Sequence, residues 1–222
     1  MTVLGLVTIG QAPRVDVTPD ILPLLAGHEV IERGALDDLG AAAIGALAPE
    51  PGRAAVVSRL RDGSSAVLDE DRLRPLVQSA VDRVVADGAE AVLILCTGHL
   101  PGLAASVPVY TAEELARGAA AVLVGERALG VLVPTPRQVE DIAARWRADL
   151  GRDASVAAAD PYAFDAEAFA EAGRALAASG TEWIFLDCIG YSEEMAAVVT
   201  RATGLRAVTA RSLAARMLAA AV

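Results

Sequence analysis

The chain is short of the residues by which many functions declare themselves. It has two cysteines, Cys96 and Cys188, and two histidines, His28 and His99, with no CxxC or HxxxH spacing, so no metal site is expected. Aromatic residues make up only 4% of the chain, which leaves packing to Ala, Val and Leu. No apolar run approaches the roughly 18 residues of a membrane span, so the positive mean hydropathy reflects alanine-rich helices and buried strands rather than a membrane protein. No basic segment precedes the first apolar run, and Val3 to Ile9 is too short for a signal-peptide core, so a cytoplasmic protein is expected. In that compartment the two cysteines stay reduced and a structural disulfide is not expected. Glycine-rich GxGxxG and GxxxxGK[ST] loops are missing, so nothing points to a dinucleotide or a nucleoside triphosphate, and no cofactor is expected. A formal net charge of −10 without any basic stripe argues against nucleic acid.

What the chain does contain is a repeat. Ala89-Glu-Ala-Val-Leu-Ile-Leu-Cys-Thr-Gly-His99 returns as Gly180-Thr-Glu-Trp-Ile-Phe-Leu-Asp-Cys-Ile-Gly-Tyr191. Gly88 falls on Gly180, Glu90 on Glu182, Cys96 on Cys188 and Gly98 on Gly190, each at the same offset, 188 − 96 = 92. Each copy is a glycine, an apolar run of strand length, and Cys-x-Gly where the run stops. Both cysteines therefore belong at the carboxyl ends of buried strands, where open α/β sheets bind ligands.

Around these two copies the pattern alternates between strands and helices. Strands are expected over Val3 to Ile9, His28 to Arg33, Val107 to Tyr110, Gly130 to Val133, Ala154 to Ala159 and Arg206 to Thr209. Helices are expected near Pro19 to Leu25, with Thr18 as a cap, and over Asp37 to Leu47 and Arg74 to Asp87. Further helices belong at Ala112 to Val124, up to about Leu150, at Asp165 to Ala178, from the cap Ser192 to about Thr203, and at Arg211 to Ala221. Asp62-Gly63 between two apolar runs reads as a β-hairpin. The opening Leu6-Val-Thr-Ile-Gly-Gln-Ala-Pro-Arg14 has a counterpart in Gly130-Val-Leu-Val133 and the following Pro134-Thr-Pro-Arg137, with Pro13-Arg14 on Pro136-Arg137. The fold class is thus α/β: two pseudo-symmetric parallel-sheet lobes, with the hairpin inserted in the first half. The first lobe is expected over residues 1–110, its insertion near 54–69, with segment 206–222 available to complete it; the second covers 111–205.

If the cysteines of two facing lobes flank one cleft, they form an acid–base pair. A thiol transfers protons usefully at neutral pH when its pKa falls from about 8.5 toward 7. One thiol then removes a proton from a carbon and the other returns one to the opposite face, which is racemisation without a cofactor. A single unpaired cysteine at a strand end is more often a small buried hydrophobe; two in register favour the functional reading. Gly98 and Gly190 would let backbone N–H groups approach an anion, or are plain turn residues. Thr97, His99, Tyr191 and Ser192 lie beside the thiols, and His99 could tune Cys96. Gly10, Gln11, Arg14, Thr135 and Arg137 follow the matching first strands, where an arginine could hold a substrate carboxylate bidentately. Alternation along the strand turns Asp187 away from the thiol. Tyr162 and Trp146 read as packing, and Arg59-Leu-Arg61 as a solvated edge or a contact in a homodimer.

Thr8-Ile-Gly-Gln-Ala-Pro-Arg14, Ser58-Arg-Leu-Arg-Asp-Gly63, Leu95-Cys-Thr-Gly98 and Leu186-Asp-Cys-Ile-Gly-Tyr-Ser192 together resemble the AroM family over nearly the whole chain. More distantly, the doubled cysteine is similar to the aspartate/glutamate racemase superfamily, which includes amino-acid and hydantoin racemases, maleate isomerases and arylmalonate decarboxylases. That resemblance implies two α/β lobes with Cys96 and Cys188 at their interface. It also implies a small carboxylate as substrate. In the superfamily Asn-Thr usually follows the first cysteine, and the second lies in Gly-Cys-Thr; here Thr97-Gly98 and Asp187-Cys188-Ile189 stand instead. The reading is a cofactor-independent racemase or isomerase of a small, amino-acid-like carboxylate. Its alternatives are a non-catalytic small-acid binding or regulatory protein, and a single-thiol decarboxylase or hydrolase.

Overall fold

The computed structural model describes residues 1–98, 100 and 102–222. The chain divides into two compact units, residues 1–113 with 218–222, and residues 114–217. The first unit opens on β1 (Val3–Thr8), the short α1 (Thr18–Ile21), β2 (Glu29–Gly34) and α2 (Ala41–Gly45). Next come the hairpin strands β3 (Ala55–Arg59) and β4 (Ser65–Asp69), α3 (Glu70–Ala86), β5 (Ala91–Leu95), β6 (Val109–Thr111) and α4 (Ala112–Val124), which leads into the second unit. The second unit continues with β7 (Leu129–Val133), α5 (Val139–Leu150), β8 (Ser155–Ala158), α6 (Ala166–Ala178), β9 (Trp183–Leu186), α7 (Glu193–Thr203), β10 (Arg206–Thr209) and α8 (Ala210–Ala221).

Each unit holds one all-parallel sheet, and the hairpin forms a separate antiparallel pair. The sheet orders are β2-β1-β5-β6 and β8-β7-β9-β10, so the second repeats the first strand for strand. The central strands β1, β5, β7 and β9 are almost wholly buried, as parallel strands covered on both faces must be. The repeat extends to single atoms. Leu4 pairs with Ala91 and Leu129 with Trp183, giving offsets of 129 − 4 = 125 and 183 − 91 = 92. At those offsets Glu90 and Glu182 play one role: Glu90 Oε1 accepts the Val3 N–H at 3.0 Å, and Glu182 Oε2 accepts the Ala128 N–H at 2.9 Å. Gly5 and Gly130 likewise match, and a Cβ on either would strike the next layer, Val84 Cγ1 at 2.9 Å or Thr181 Cγ2 at 2.6 Å. The Pro-Arg pairs sit at 136 − 13 = 123, so the loop after β1 is two residues longer than the loop after β7.

The two cores differ in kind. Around β1 and β5 the first is aliphatic, with Leu73, Val77, Val81 and Val84 of α3 against Val7, Val92 and Ile94. Tyr110 is the only aromatic residue before residue 114. The second core uses aromatic edges: Trp146 meets Phe185 at 5.6 Å, and Phe169 meets Phe164 at 5.2 Å and Tyr191 at 5.8 Å. Low aromatic content therefore fixes the packing of one unit and not the other.

Several boundaries moved for local reasons. Thr18 does not cap α1; it is the first helical residue, and its hydroxyl donates to the Arg14 carbonyl at 2.9 Å. The helix expected over Asp37 to Leu47 shrinks to α2 because Asp37 is held in the preceding turn by the Ala12 and Gly34 amides, at 2.8 and 2.6 Å. Helix α3 begins before Arg74 because Asp69 caps it, accepting the Arg72 N–H at 3.1 Å. Strand β10 pairs with β9, so residues 206–209 extend the second sheet rather than complete the first lobe; only 218–222 group with the first unit. Among the described residues no helix is long and apolar enough to cross a membrane.

Candidate functional site

Both cysteines emerge where the third strand of a sheet ends, and their surroundings match. Cys96 follows β5 directly and Cys188 lies two residues past β9; they are 6% and 9% exposed. The Gly98 N–H donates to Cys96 Sγ at 3.2 Å, and the Gly190 N–H donates to Cys188 Sγ at 3.4 Å. Cys-x-Gly thus folds twice into a turn that aims an amide at sulfur, and a donor to sulfur favours the thiolate. Both glycines are closely packed by neighbouring side chains. A Cβ on Gly98 would lie 3.0 Å from Val56 Cγ1 and 3.3 Å from Cys96 Sγ, and one on Gly190 3.0 Å from Pro161 and Tyr162.

The loop after β1 is a clasp rather than an open binding loop. The Arg14 guanidinium is 3% exposed and grips Asp16 with two bonds of 2.7 Å, while its third nitrogen donates to Thr8 Oγ1 at 3.2 Å. Its bidentate edge, expected to take a substrate carboxylate, is filled by a carboxylate of its own chain. Gln11 bridges two segments, donating to the Leu36 carbonyl at 3.4 Å and accepting the Arg61 N–H at 3.0 Å. The Arg61 side chain donates to the Ala12 carbonyl at 2.9 and 2.5 Å and to Asp37 at 3.1 Å. The hairpin also lies on Gly10, where a Cβ would collide with Ser58 Oγ and sit 2.6 Å from the Arg59 carbonyl. Arg59-Leu-Arg61 is therefore no mere solvated edge. Along β3, Val56 meets the cysteine turn and Ser58 meets the β1 loop, so the insertion covers the carboxyl end of the first sheet.

The residues after Cys188 are likewise occupied. Tyr191 is fully buried, its hydroxyl donates to the Ala159 carbonyl at 2.8 Å, and burial raises its pKa well above 10.0, with Cys188, Asp187, Asp160 and Tyr162 adding to the effect. Ser192 caps α7, accepting the Met195 N–H at 3.3 Å. Thr135 bonds Gln138 at 3.3 Å in the one-turn 3-10 segment after β7. Arg137, in that same segment, is exposed and unpaired among the described residues. Thr97 is half-buried and makes no side-chain bond among the described residues. His99 lies outside the described residues.

Sequence reasoning missed three groups. Arg211, 1% exposed at the start of α8, donates to the Ile189 carbonyl at 2.9 Å and so backs the Cys188–Gly190 turn. Tyr162, read as packing, places its phenol against Gly190. Trp146 is more than packing, since its indole N–H donates to the buried Asp187 carboxyl at 3.2 Å and its ring lies 4.8 Å under the Arg117 guanidinium. Asp187 does point away from the thiol, toward α5, as alternation requires. No periodic signal marks any of these contacts, because each joins residues far apart in the chain.

Burial raises the Asp187 pKa above its ordinary 3.8, and Arg117 and the Trp146 N–H only partly oppose it. The folded state therefore binds this proton more tightly than the unfolded chain, and stability falls as pH rises from about 3.8 through the folded value. Asp187→Asn cannot lose a proton. Its melting temperature relative to wild type is expected to rise between pH 4 and pH 8; a difference independent of pH would refute this account.

No curated protein matches the sequence. Among solved structures, unliganded arylmalonate decarboxylase aligns at TM-score 0.63 and 15% identity, covering 100% of this chain and 92% of its own. A maleate cis-trans isomerase from Nocardia farcinica, carrying a covalently bound succinylcysteine intermediate, aligns at 0.63 and 17% over 98% and 92%. Glutamate racemase RacE1 from Bacillus anthracis aligns at 0.63 and 16% over 99% and 81%. At such identities the likeness establishes the shared racemase-like fold. The family model described as AroM protein matches residues 4–222, all but the first three, and by that match the chain belongs to the AroM family.

Proposed function

We propose that this protein is a cofactor-independent racemase or isomerase of a small carboxylate, with Cys96 and Cys188 as its acid and base. The observation that carries this reading is the duplicated turn, in which each thiol ends the third strand of its sheet and receives the N–H of the glycine two residues on. The proteins of similar fold point the same way: a racemase, an isomerase that forms a succinylcysteine, and a decarboxylase of arylmalonates.

In this mechanism one sulfur, as thiolate, takes the proton α to the carboxylate, and the other, as thiol, delivers a proton to the opposite face. The electron pair of the broken C–H bond spreads onto the carboxylate, so the reaction depends on donors there. Arg14 and Gln11 are engaged within the first unit and the Gly98 and Gly190 amides face sulfur, so this task is assigned to the side chains of Thr97 and Arg137.

The test is α-deuterium incorporation from D₂O across a panel of small amino and hydroxy acids. At least one member is expected to exchange and to racemise. If none exchanges, and alkylating both cysteines leaves ligand binding intact, the protein is a small-acid binding protein instead. Exchange that survives replacement of Cys96 but not of Cys188 would favour single-thiol chemistry, as in a decarboxylase.

A further inference from the structure

The inward face of β3 is apolar except at one position. Val56 and Ser58 point inward while Ala55 and Val57 are exposed. The cross-strand partners of the inward pair are Leu68, in the aliphatic core, and Ala66, packed against it. Ser58 is 1% exposed, and among the described residues its buried hydroxyl has no hydrogen-bond partner. Most buried hydroxyls find one, and leaving one unpaired costs stability. Alanine would fill the same place without that cost, so packing does not account for a serine here.

The location of the hydroxyl does. Ser58 Oγ lies against Gly10 in the loop after β1, where it would collide with an added Cβ. Val56, two residues back on the same face, stands 3.0 Å from the Cβ position of Gly98 in the Cys96 turn. Thr8 pairs with Leu95 at the ends of β1 and β5, so these two loops leave the sheet side by side, about 4.8 Å apart. Strand β3 therefore lies across both, and Ser58 carries a hydroxyl to the end of the sheet where Cys96 sits. No hydrogen bond holds Ser58 in its present rotamer, so a turn about χ1 re-aims the hydroxyl while the strand stays in place.

We propose that Ser58 is a ligand-binding residue of the first unit, its hydroxyl donating to the carboxylate of a small acid held at Cys96. The proposal rests on the reading of Cys96 as a reactive thiol and deepens it. The hairpin has no counterpart in the second unit, so this donor makes the duplicated arrangement one-sided.

The test compares two alkylating agents of nearly the same size, iodoacetate and iodoacetamide, on Cys96 in a Cys188→Ser background. Each forms the same S–C bond with loss of iodide, so the thiol's ionisation affects both rates alike and cancels in their ratio. Only iodoacetate carries a carboxylate. Ser58→Ala is expected to lower the iodoacetate-to-iodoacetamide rate ratio by about tenfold, as loss of a hydrogen bond to a charged group implies. The same variant should melt about 2–4 °C above its parent, because it removes an unpaired buried hydroxyl. A structural hydroxyl would give the reverse, a lower melting temperature with the ratio unchanged. Ser64→Ala, in the hairpin turn, removes a hydroxyl bonded to Asp62 at 2.6 Å and should leave the ratio as it is. An unaltered ratio in Ser58→Ala, a variant less stable than its parent, or a Cys96 that neither reagent modifies would each overturn the assignment. Absence of deuterium exchange in wild type would instead remove the racemase reading, and the ratio would still decide the role of Ser58.

Discussion

Replacing either cysteine by serine is expected to abolish racemisation. The hydroxyl of serine ionises far too weakly to act as a base at neutral pH, and loss of one positioned acid–base group typically slows proton transfer by about 10² to 10⁴. Because racemisation needs both faces of the carbon, Cys96→Ser and Cys188→Ser should each stop it. They should differ in what survives, each retaining α-proton exchange with solvent for one enantiomer only, and for opposite enantiomers. The symmetry of the two turns is the basis for this outcome, since each thiol has its own glycine N–H at 3.2 or 3.4 Å and neither depends on the other's turn. Exchange is followed by mass spectrometry in D₂O on resolved enantiomers, with alkylation of the remaining thiol as a check of folding. Full racemisation by either single variant would exclude the two-thiol mechanism.

The second large effect belongs to a residue without a side chain. Gly10→Ala would drive a methyl group into Ser58 Oγ and to 2.6 Å from the Arg59 carbonyl, and the backbone atom cannot rotate out of the way. Either the loop after β1 or strand β3 has to move. Overpacking of this sort costs about 1–3 kcal/mol, and a protein of this size loses roughly 2–4 °C in melting temperature for each kcal/mol. The displaced strand is the one whose Val56 packs on the Cys96 turn, so the alkylation rate of Cys96 should change as well, while that of Cys188 should not. Gly118→Ala is the control. Gly118 is exposed within α4 with nothing within 4 Å of an added Cβ, and alanine there should stabilise by about 0.5–1 kcal/mol. Equal melting temperatures for wild type and Gly10→Ala would show that the hairpin does not press on the loop as described.

Chain-local patterns carried the architecture. Runs of strand length bounded by glycines marked both cysteine strands, and the offset of 92 paired Glu90 with Glu182, which proved to tie the same two strand starts in each unit. Asp62-Gly63 fixed the hairpin turn, and Ser192 the start of α7. These features rest on interactions within a few residues or on a repeat that can be read by counting. The site chemistry was only half legible. Position at a strand end identified the two thiols, but it could not tell which neighbouring polar groups remain for a ligand.

That second question is one of partners, and partners are chosen across the fold. Arg14 looked like a carboxylate clamp until its fork was seen to close on Asp16, and the hairpin looked peripheral until Arg61 was seen to reach Ala12, 49 residues away in sequence. Tyr191 stands beside the thiol turn in sequence yet gives its hydroxyl to Ala159, 32 residues back, whereas Tyr162 arrives at Gly190 from another loop. The sequence alone determined the strands, the repeat and the place of both cysteines, because backbone periodicity and turn chemistry are local. Only the tertiary structure decided which polar side chains are already engaged, because a buried donor or acceptor must find a partner wherever the packed chain brings one, and that choice leaves no periodic trace.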